Sequence, residues 1–162
     1  MTVSNSTVLI NLIKIGKVDL IKNIYKNITI TGVIRKEVTR EDELYKNEIR
    51  VFNELAGSFI IIKNPANLKD FGLHKGENSC LSLCKEIDDI TFLSDDKNAR
   101  KAADFLGIRV IGTLGILVSN LKKKKLNKKE FFTILRKLID KGFYISTELF
   151  AAVEEYVNKI IL

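Results

Sequence analysis

The chain has 162 residues, of which 46% are hydrophobic and 29% are charged. A chain of this length can build one complete hydrophobic core, since an ordinary domain has roughly 100 to 150 residues. The composition is typical of a globular protein and excludes the disordered and collagen-like classes. The 27 basic residues exceed the 20 acidic ones, and the net charge of +7 favours contact with polyanions, above all nucleic acid.

The N-terminal segment lacks the basic start and the small-residue cleavage site of a signal peptide, and no apolar run approaches the roughly 18 residues of a membrane span. We therefore expect a cytoplasmic protein without membrane contact. Cys80 and Cys84 share one face of a predicted helix, where cysteine acts as a small apolar residue. Together with the single histidine, His74, they supply too few ligands for a structural zinc site, which needs about four.

Short β-branched runs alternate with longer segments in which apolar residues recur every three or four positions. This alternation predicts an α/β fold with a five-stranded parallel sheet and helices on both of its faces. The predicted strands are Thr2–Ser4, Ile28–Thr31, Phe59–Lys63, Thr91–Ser94 and Arg109–Ile111. The predicted helices between them are Val8–Ile15, Val18–Ile24, a long one from about Gly32 to Leu55, Glu77–Glu86 and Asp96–Leu106.

After the last strand the pattern becomes wholly helical, with helices predicted over Leu114–Lys122, Lys128–Lys141 and Thr147–Ile161. Asn127 and Ser146 are predicted to cap the starts of the last two. We expect one domain over residues 1–162, with a core of about 1–121 and additional C-terminal helices over about 122–162. The last helix carries apolar residues at helical spacing, which need cover from this chain or from a second copy; we favour a homodimer. They are Leu149, Phe150, Val153, Tyr156, Val157 and Ile160.

Polar or acidic residues follow four of the predicted strands. Asn5 follows the first, Glu37 lies near the start of the helix after the second, Glu77 opens the helix after the third, and Asp95 and Asp96 follow the fourth. Parallel strands end at one edge of a sheet, so these side chains should converge. Acidic residues also cap helices singly, but a cluster of uncompensated carboxylates favours a bound cation. The pattern alone leaves helix capping and a metal site both open.

Four segments in a fixed order resemble the PIN-domain family: VSNSTVLINLIKIGKVDLI, VIRKEV, HKGENSCLSLCKE and TFLSDDKNARKAADFLGIRVIGTLGIL. The double aspartate, the arginine-containing helix and the G-T-x-G-x-L segment are similar to a prokaryotic, stand-alone, VapC-like toxin branch. The resemblance covers roughly residues 2–121, and LIDKGFYISTELFAAVEEYV looks like that branch's C-terminal helices. It implies a PIN-like fold, RNA hydrolysis with Mg²⁺ or Mn²⁺, and a toxin that pairs with an antitoxin protein.

By position, the family's acidic quartet falls on Asn5, Glu37, Glu77 and Asp95 or Asp96. The resemblance implies that all five residues belong to the catalytic site, that Asn5, Glu37, Glu77 and Asp96 hold the metal, and that Asp95 orients waters. Hard divalent cations prefer oxygen ligands. Because the family usually has Asp where this chain has Asn5, we expect weakened metal binding. Natural drift and a deliberate inactivating substitution would both explain that residue.

Several polar and basic residues are candidate nucleic-acid contacts. A lysine run at a helix end is often only a solvated face, and a serine after a strand is often a helix cap, so both interpretations stay open. The candidates are Ser6, Arg100, Lys101, Lys122, Lys123 and Lys124.

The leading hypothesis is a metal-dependent endoribonuclease. An alternative is a catalytically silent RNA-binding or interaction module that keeps the PIN fold. A phosphate-accepting receiver-like domain is a further alternative. It requires an acidic pair after the first strand and a lysine after the last strand, where this chain has Asn5-Ser6 and Gly112-Thr113.

Overall fold

The five predicted strands form one sheet. A computed structural model describes residues 1–40, 44–87 and 89–160. Within these residues, neighbouring strands all pair in parallel, in the spatial order β3-β2-β1-β4-β5. The predicted α/β fold with a five-stranded parallel sheet flanked by helices is therefore confirmed. The strands are β1 (Thr2–Ser4), β2 (Ile28–Ile30), β3 (Ile60–Ile62), β4 (Thr91–Leu93) and β5 (Arg109–Ile111).

Nine helices flank the sheet in the described residues. The burial of the strands follows their order in the sheet. The inner strands β1 and β2 are wholly buried, whereas the edge strands β3 and β5 keep exposed residues. The helices are α1 (Ser6–Lys14), α2 (Asp19–Lys22), α3 (Gly32–Val38), α4 (Lys46–Leu55), α5 (Lys75–Lys85), α6 (Lys97–Phe105), α7 (Thr113–Lys122), α8 (Lys128–Asp140) and α9 (Thr147–Ile160).

The long helix predicted from about Gly32 to Leu55 is wrong, because two helices, α3 and α4, occupy this segment. The Thr39 hydroxyl donates to the Arg35 carbonyl oxygen at 2.9 Å, where α3 ends. At the start of α4, the backbone N–H of Tyr45 donates to the Glu48 carboxylate at 2.8 Å. Residues 41–43, between the two helices, lie outside the described residues.

The connector between β3 and α5 is held by the helix that follows it. The Glu86 carboxylate accepts hydrogen bonds from the backbone N–H groups of Ala66 and Asn67, at 3.0 and 2.8 Å. These two bonds lower the pKa of the Glu86 carboxyl. Nearer α5, the Asn78 side chain accepts from the backbone N–H of Phe71. This connector is thus tied to α5, and it leads from β3 to the start of that helix.

The C-terminal helices pack on the rest of the chain. Asn127 caps α8, as predicted, by accepting from the backbone N–H of Glu130 at 2.9 Å. In α9, Val153 and Val157 are buried, whereas Leu149 remains half exposed. The predicted apolar face of the last helix is therefore only partly covered by this chain. Within the described ranges, no helix combines the length and the apolar character needed to cross a bilayer.

Cys80 and Cys84 lie in the core, on the buried face of α5. Burial raises the pKa of the Cys84 thiol to about 12 and raises that of Cys80 as well. At neutral pH both thiols are therefore protonated, and the predicted role as small core residues is confirmed.

Candidate active site

Asn5 lies at the carboxyl end of β1, is wholly buried and precedes the first residue of α1. Its side-chain Nδ2 donates to Ser94 Oγ at 2.7 Å, and its Oδ1 accepts from Thr7 Oγ1 at 2.7 Å. Both ends of the amide are therefore hydrogen-bonded within the protein. The residue ties the end of β1 to the end of β4.

The same small network shapes the loop between β4 and α6. Thr7 Oγ1 accepts from the backbone N–H of Asp95 at 3.1 Å, and Ser94 Oγ accepts from the backbone N–H of Asp96 at 3.2 Å. The two aspartates thus receive fixed backbone positions from side chains of the first and fourth strand ends. The double aspartate is a rigid feature of the site.

Asp96 and Glu77 border one pocket of about 250 Å³. Asp96 caps α6, because its Oδ1 accepts from the backbone N–H of Ala99 at 2.7 Å. Glu77 lies in the first turn of α5, and its Oε2 is buried without a hydrogen-bond partner. Gly72, Leu73, His74 and Asn98 complete the lining. Two predicted metal ligands from different strand ends therefore meet in one cavity.

Burial raises the pKa of the Glu77 carboxyl. A hydrogen bond from its own backbone amide opposes the rise, the negative charges of Glu37 and Asp96 add to it, and the nearby His74 lowers it. Carboxylates from α3, α5 and the loop after β4 thus act on one another electrostatically. A buried carboxylate oxygen that lacks a donor and faces like charges is a position that a cation would stabilise.

Glu37 approaches this group from the last turn of α3, so the predicted position near the start of that helix is wrong, because α3 ends at Val38. Its Oε2 accepts from Ser6 Oγ at 2.8 Å, so the hydroxyl predicted as a nucleic-acid contact bonds a carboxylate of the site. A Cβ atom at Gly76 would lie only 2.4 Å from Glu37 Oε1. Glycine at position 76 therefore allows α5 and the Glu37 carboxylate to come together.

Asp95 uses its carboxylate differently from its neighbour. Oδ1 accepts from the backbone N–H of Thr113 at 2.8 Å, and Oδ2 accepts from Thr113 Oγ1 at 2.5 Å and from Asn11 Nδ2 at 3.0 Å. A Cβ atom at Gly112 would lie 2.5 Å from Asp95 Oδ1. Asp95 therefore caps α7 and joins it to α1. Asn11 and Thr113 were not among the predicted site residues, although Thr113 belongs to the G-T-x-G-x-L segment that was noted as a motif.

A family model of the PIN domain matches residues 1–159. The chain belongs to the PIN-domain family. The match spans the sheet and the C-terminal helices alike, and it confirms the family predicted from the motifs without distinguishing the toxin branch. No curated protein matches the chain. PIN domains are generally nucleases that act on RNA and use divalent metal ions.

The residues of this PIN domain fit a hard divalent cation. Within residues 1–40, 44–87 and 89–160, no three His, Cys, Asp or Glu side chains lie close enough together to form a ready ligand group. A magnesium ion, however, usually binds through one or two carboxylates and keeps several waters. The partnerless oxygen of Glu77 and the adjacent carboxylate of Asp96 supply such a pair.

The basic candidates of the PIN domain fall into two places. Arg100 is at the site, where its Nη1 donates to the Ser94 carbonyl oxygen at 2.9 Å, and Lys101 is exposed on the same helix. The lysine run 122–124 begins at the far end of α7, nine residues and roughly 14 Å from the end that Asp95 caps. Lys122 there lies over the ring of Tyr156, at 5.3 Å. The run therefore does not border the carboxylate pocket.

Proposed function

We propose that this PIN domain is an endoribonuclease that hydrolyses RNA phosphodiester bonds with Mg²⁺ or Mn²⁺ held by Glu77 and Asp96. The observation that carries the proposal is the partnerless buried oxygen of Glu77, whose side chain lines the same pocket as Asp96. A carboxylate in such surroundings costs stability unless a positive charge completes it. The PIN family and the net charge of +7 support nucleic acid as the substrate.

A divalent cation bound there would acidify water and neutralise charge on the reacting phosphate. The protein's own groups hold and orient the site. Glu37, fixed by Ser6, adds negative charge and an acceptor beside Glu77. Asp95 holds the loop that carries Asp96, through its bonds to α7 and α1.

Asn5 weakens the metal site through charge. Its amide lies at the end of β1, where the family usually has aspartate, and brings no negative charge to the edge. An aspartate would fit the same space, because the hydroxyls of Thr7 and Ser94 can both donate to its oxygens. The substitution Asn5→Asp should therefore restore charge without disturbing the fold.

The test compares the chain with its Asn5→Asp variant. We expect the variant to bind Mn²⁺ more tightly in calorimetry and to cleave single-stranded RNA at least about 10-fold faster at limiting metal. Glu77→Gln in the Asn5→Asp background should remove the gain, since both residues act on one site. Cleavage that persists in excess chelator would reveal a contaminating nuclease. Absence of both metal binding and cleavage in the restored protein would refute the proposal.

A catalytically silent RNA-binding module is the second candidate. The observation that favours it is the Asn5 amide, whose two ends are already bonded inside the protein. In that case the Asn5→Asp variant would bind RNA and leave it intact with either metal. The toxin role, the antitoxin partner and the homodimer rest on the family resemblance and on the half-exposed face of α9, and they stay predictions.

A further inference from the structure

A second cavity, of about 560 Å³, lies on the other side of the loop that carries the double aspartate. Its walls come from β5, from α7, from the turn after α8 and from α9. Most of the wall is apolar, and it includes Ile111, Leu114, Val118, Phe143, Leu149 and Val153. We call this cavity the β5 groove.

The β5 groove adjoins the carboxylate pocket along the chain. Asp95 and Arg100 line the groove, whereas Asp96 and Asn98 line the pocket. Asp95 and Asp96 are consecutive, so the linings of the two cavities are only about 3.8 Å apart along the backbone at this point. A strand of nucleic acid with one phosphate at Glu77 and Asp96 would therefore place a neighbouring nucleotide at the mouth of the groove.

The junction of the two cavities carries a positive charge. Arg100 lines the groove one helical turn after Asp96, and its bond to the Ser94 carbonyl oxygen holds the guanidinium in place. A guanidinium has five N–H donors, so one backbone bond leaves others for a phosphate oxygen. The charge is exposed, as a contact to a polyanion requires.

Tyr144 presents an aromatic ring at the β5 groove. The side chain is 85% exposed although it follows the half-buried Phe143, and the ring contacts in the described residues involve other aromatics. Glycine at positions 112 and 115 leaves part of the opposite wall without side chains. An exposed ring beside an apolar wall suits the flat face of a nucleobase, which stacks on aromatic side chains regardless of its sequence.

From these features, and resting on the RNA substrate of the proposed function, we infer that the β5 groove is a subsite for a nucleobase of single-stranded RNA next to the scissile phosphate. Tyr144 stacks on the base, and Arg100 contacts the phosphate between the two cavities. The lining has few side-chain donors and acceptors, so the subsite would tolerate different bases. Specificity for single strands follows, because a base within a duplex cannot reach the ring.

The test measures binding apart from cleavage. A short fluorescein-labelled oligouridine is titrated with the full chain in excess chelator, and its anisotropy is followed. We expect Tyr144→Ala to weaken binding about 5- to 100-fold, and Tyr144→Trp to retain it, because a stacked base contributes roughly that much. The matched control is Phe105→Ala, which removes a 91% exposed aromatic outside the groove and should leave affinity unchanged. Thermal unfolding of each variant verifies the fold.

Three results would overturn the inference: no binding by the unaltered chain, equal affinity for Tyr144→Ala, or equal losses for the Phe105 and Tyr144 variants. A Tyr144→Ala protein that loses self-association in sedimentation while keeping its RNA affinity would assign the groove to a second copy instead. The titration involves neither metal nor cleavage. Its result therefore still tests the subsite if the nuclease proposal fails. Conversely, if the Asn5→Asp form cleaves RNA while Tyr144→Ala binds oligouridine as tightly as the unaltered chain, the nuclease proposal stands and the subsite inference fails.

Discussion

The two adjacent aspartates that follow β4 differ in their hydrogen-bond partners. Asp95 is saturated, with three hydrogen bonds from Thr113 and Asn11. Asp96 has one oxygen in a helix cap and lies in the pocket with Glu77, whose Oε2 has no donor at all. Satisfied carboxylates stabilise a fold, and unsatisfied buried ones cost stability unless a ligand completes them. The two aspartates therefore differ in how far the protein itself satisfies their carboxylates.

The largest effect on the structural side should come from Asp95→Ala. The variant loses the cap of α7 and leaves the Thr113 N–H and the Asn11 amide without their acceptor. We expect the free energy of unfolding to fall by about 2 to 4 kcal/mol, measured by urea denaturation. A loss below about 0.5 kcal/mol, which is typical of an ordinary surface substitution, would contradict the view that Asp95 stabilises the fold more than Asp96 does.

Asp96→Asn should give the opposite result. Asparagine caps helices as well as aspartate, so the bond to the Ala99 N–H survives and stability should stay within about 0.5 kcal/mol. The negative charge at the pocket is lost. In the Asn5→Asp background, Mn²⁺ affinity should fall roughly 10- to 100-fold by calorimetry. Unchanged metal affinity, or a stability loss like that of Asp95→Ala, would contradict the division.

The smallest effect concerns Glu77 and pH. Its pKa is raised in the folded chain, chiefly by burial, so the folded state holds the proton more tightly than the unfolded state. The stabilising contribution of the protonated form is complete below the ordinary value of 4.5 and is lost as pH rises through the raised pKa. Without metal, Glu77→Gln should therefore raise Tm at neutral pH, by about 1 to 3 °C.

In scanning calorimetry, this Tm difference should shrink as the pH falls below 4.5, where both side chains are uncharged. The control is Glu130→Gln, which alters an exposed carboxylate of the α8 cap far from the pocket. A lower Tm for Glu77→Gln at neutral pH would mean that the Glu77 carboxylate has a stabilising partner, and the argument for a cation site would fail.

Much of the fold could be predicted because its signals are local. The β-branched runs led to all five strands, and the side chain of Asn127 predicted the start of α8. The long helix failed because apolar periodicity alone does not show where a helix ends. Side-chain hydrogen bonds of Thr39 and Glu48 lie at those boundaries, and apolar spacing does not reveal them.

The candidate site, too, could be predicted only in part. The order of strands and polar residues along the chain was enough to predict that Asn5, Glu37, Glu77 and the double aspartate lie at one edge, because parallel strands carry whatever follows them to a common end. Which of these groups have hydrogen-bond partners could not be predicted, because it depends on tertiary packing. The partners of Asp95 come from helices 84 and 18 residues away along the chain, and Glu77 Oε2 lacks a partner because of how α3 and α6 pack against α5. Residue types specify which atoms need partners, and three-dimensional packing decides which atoms receive them.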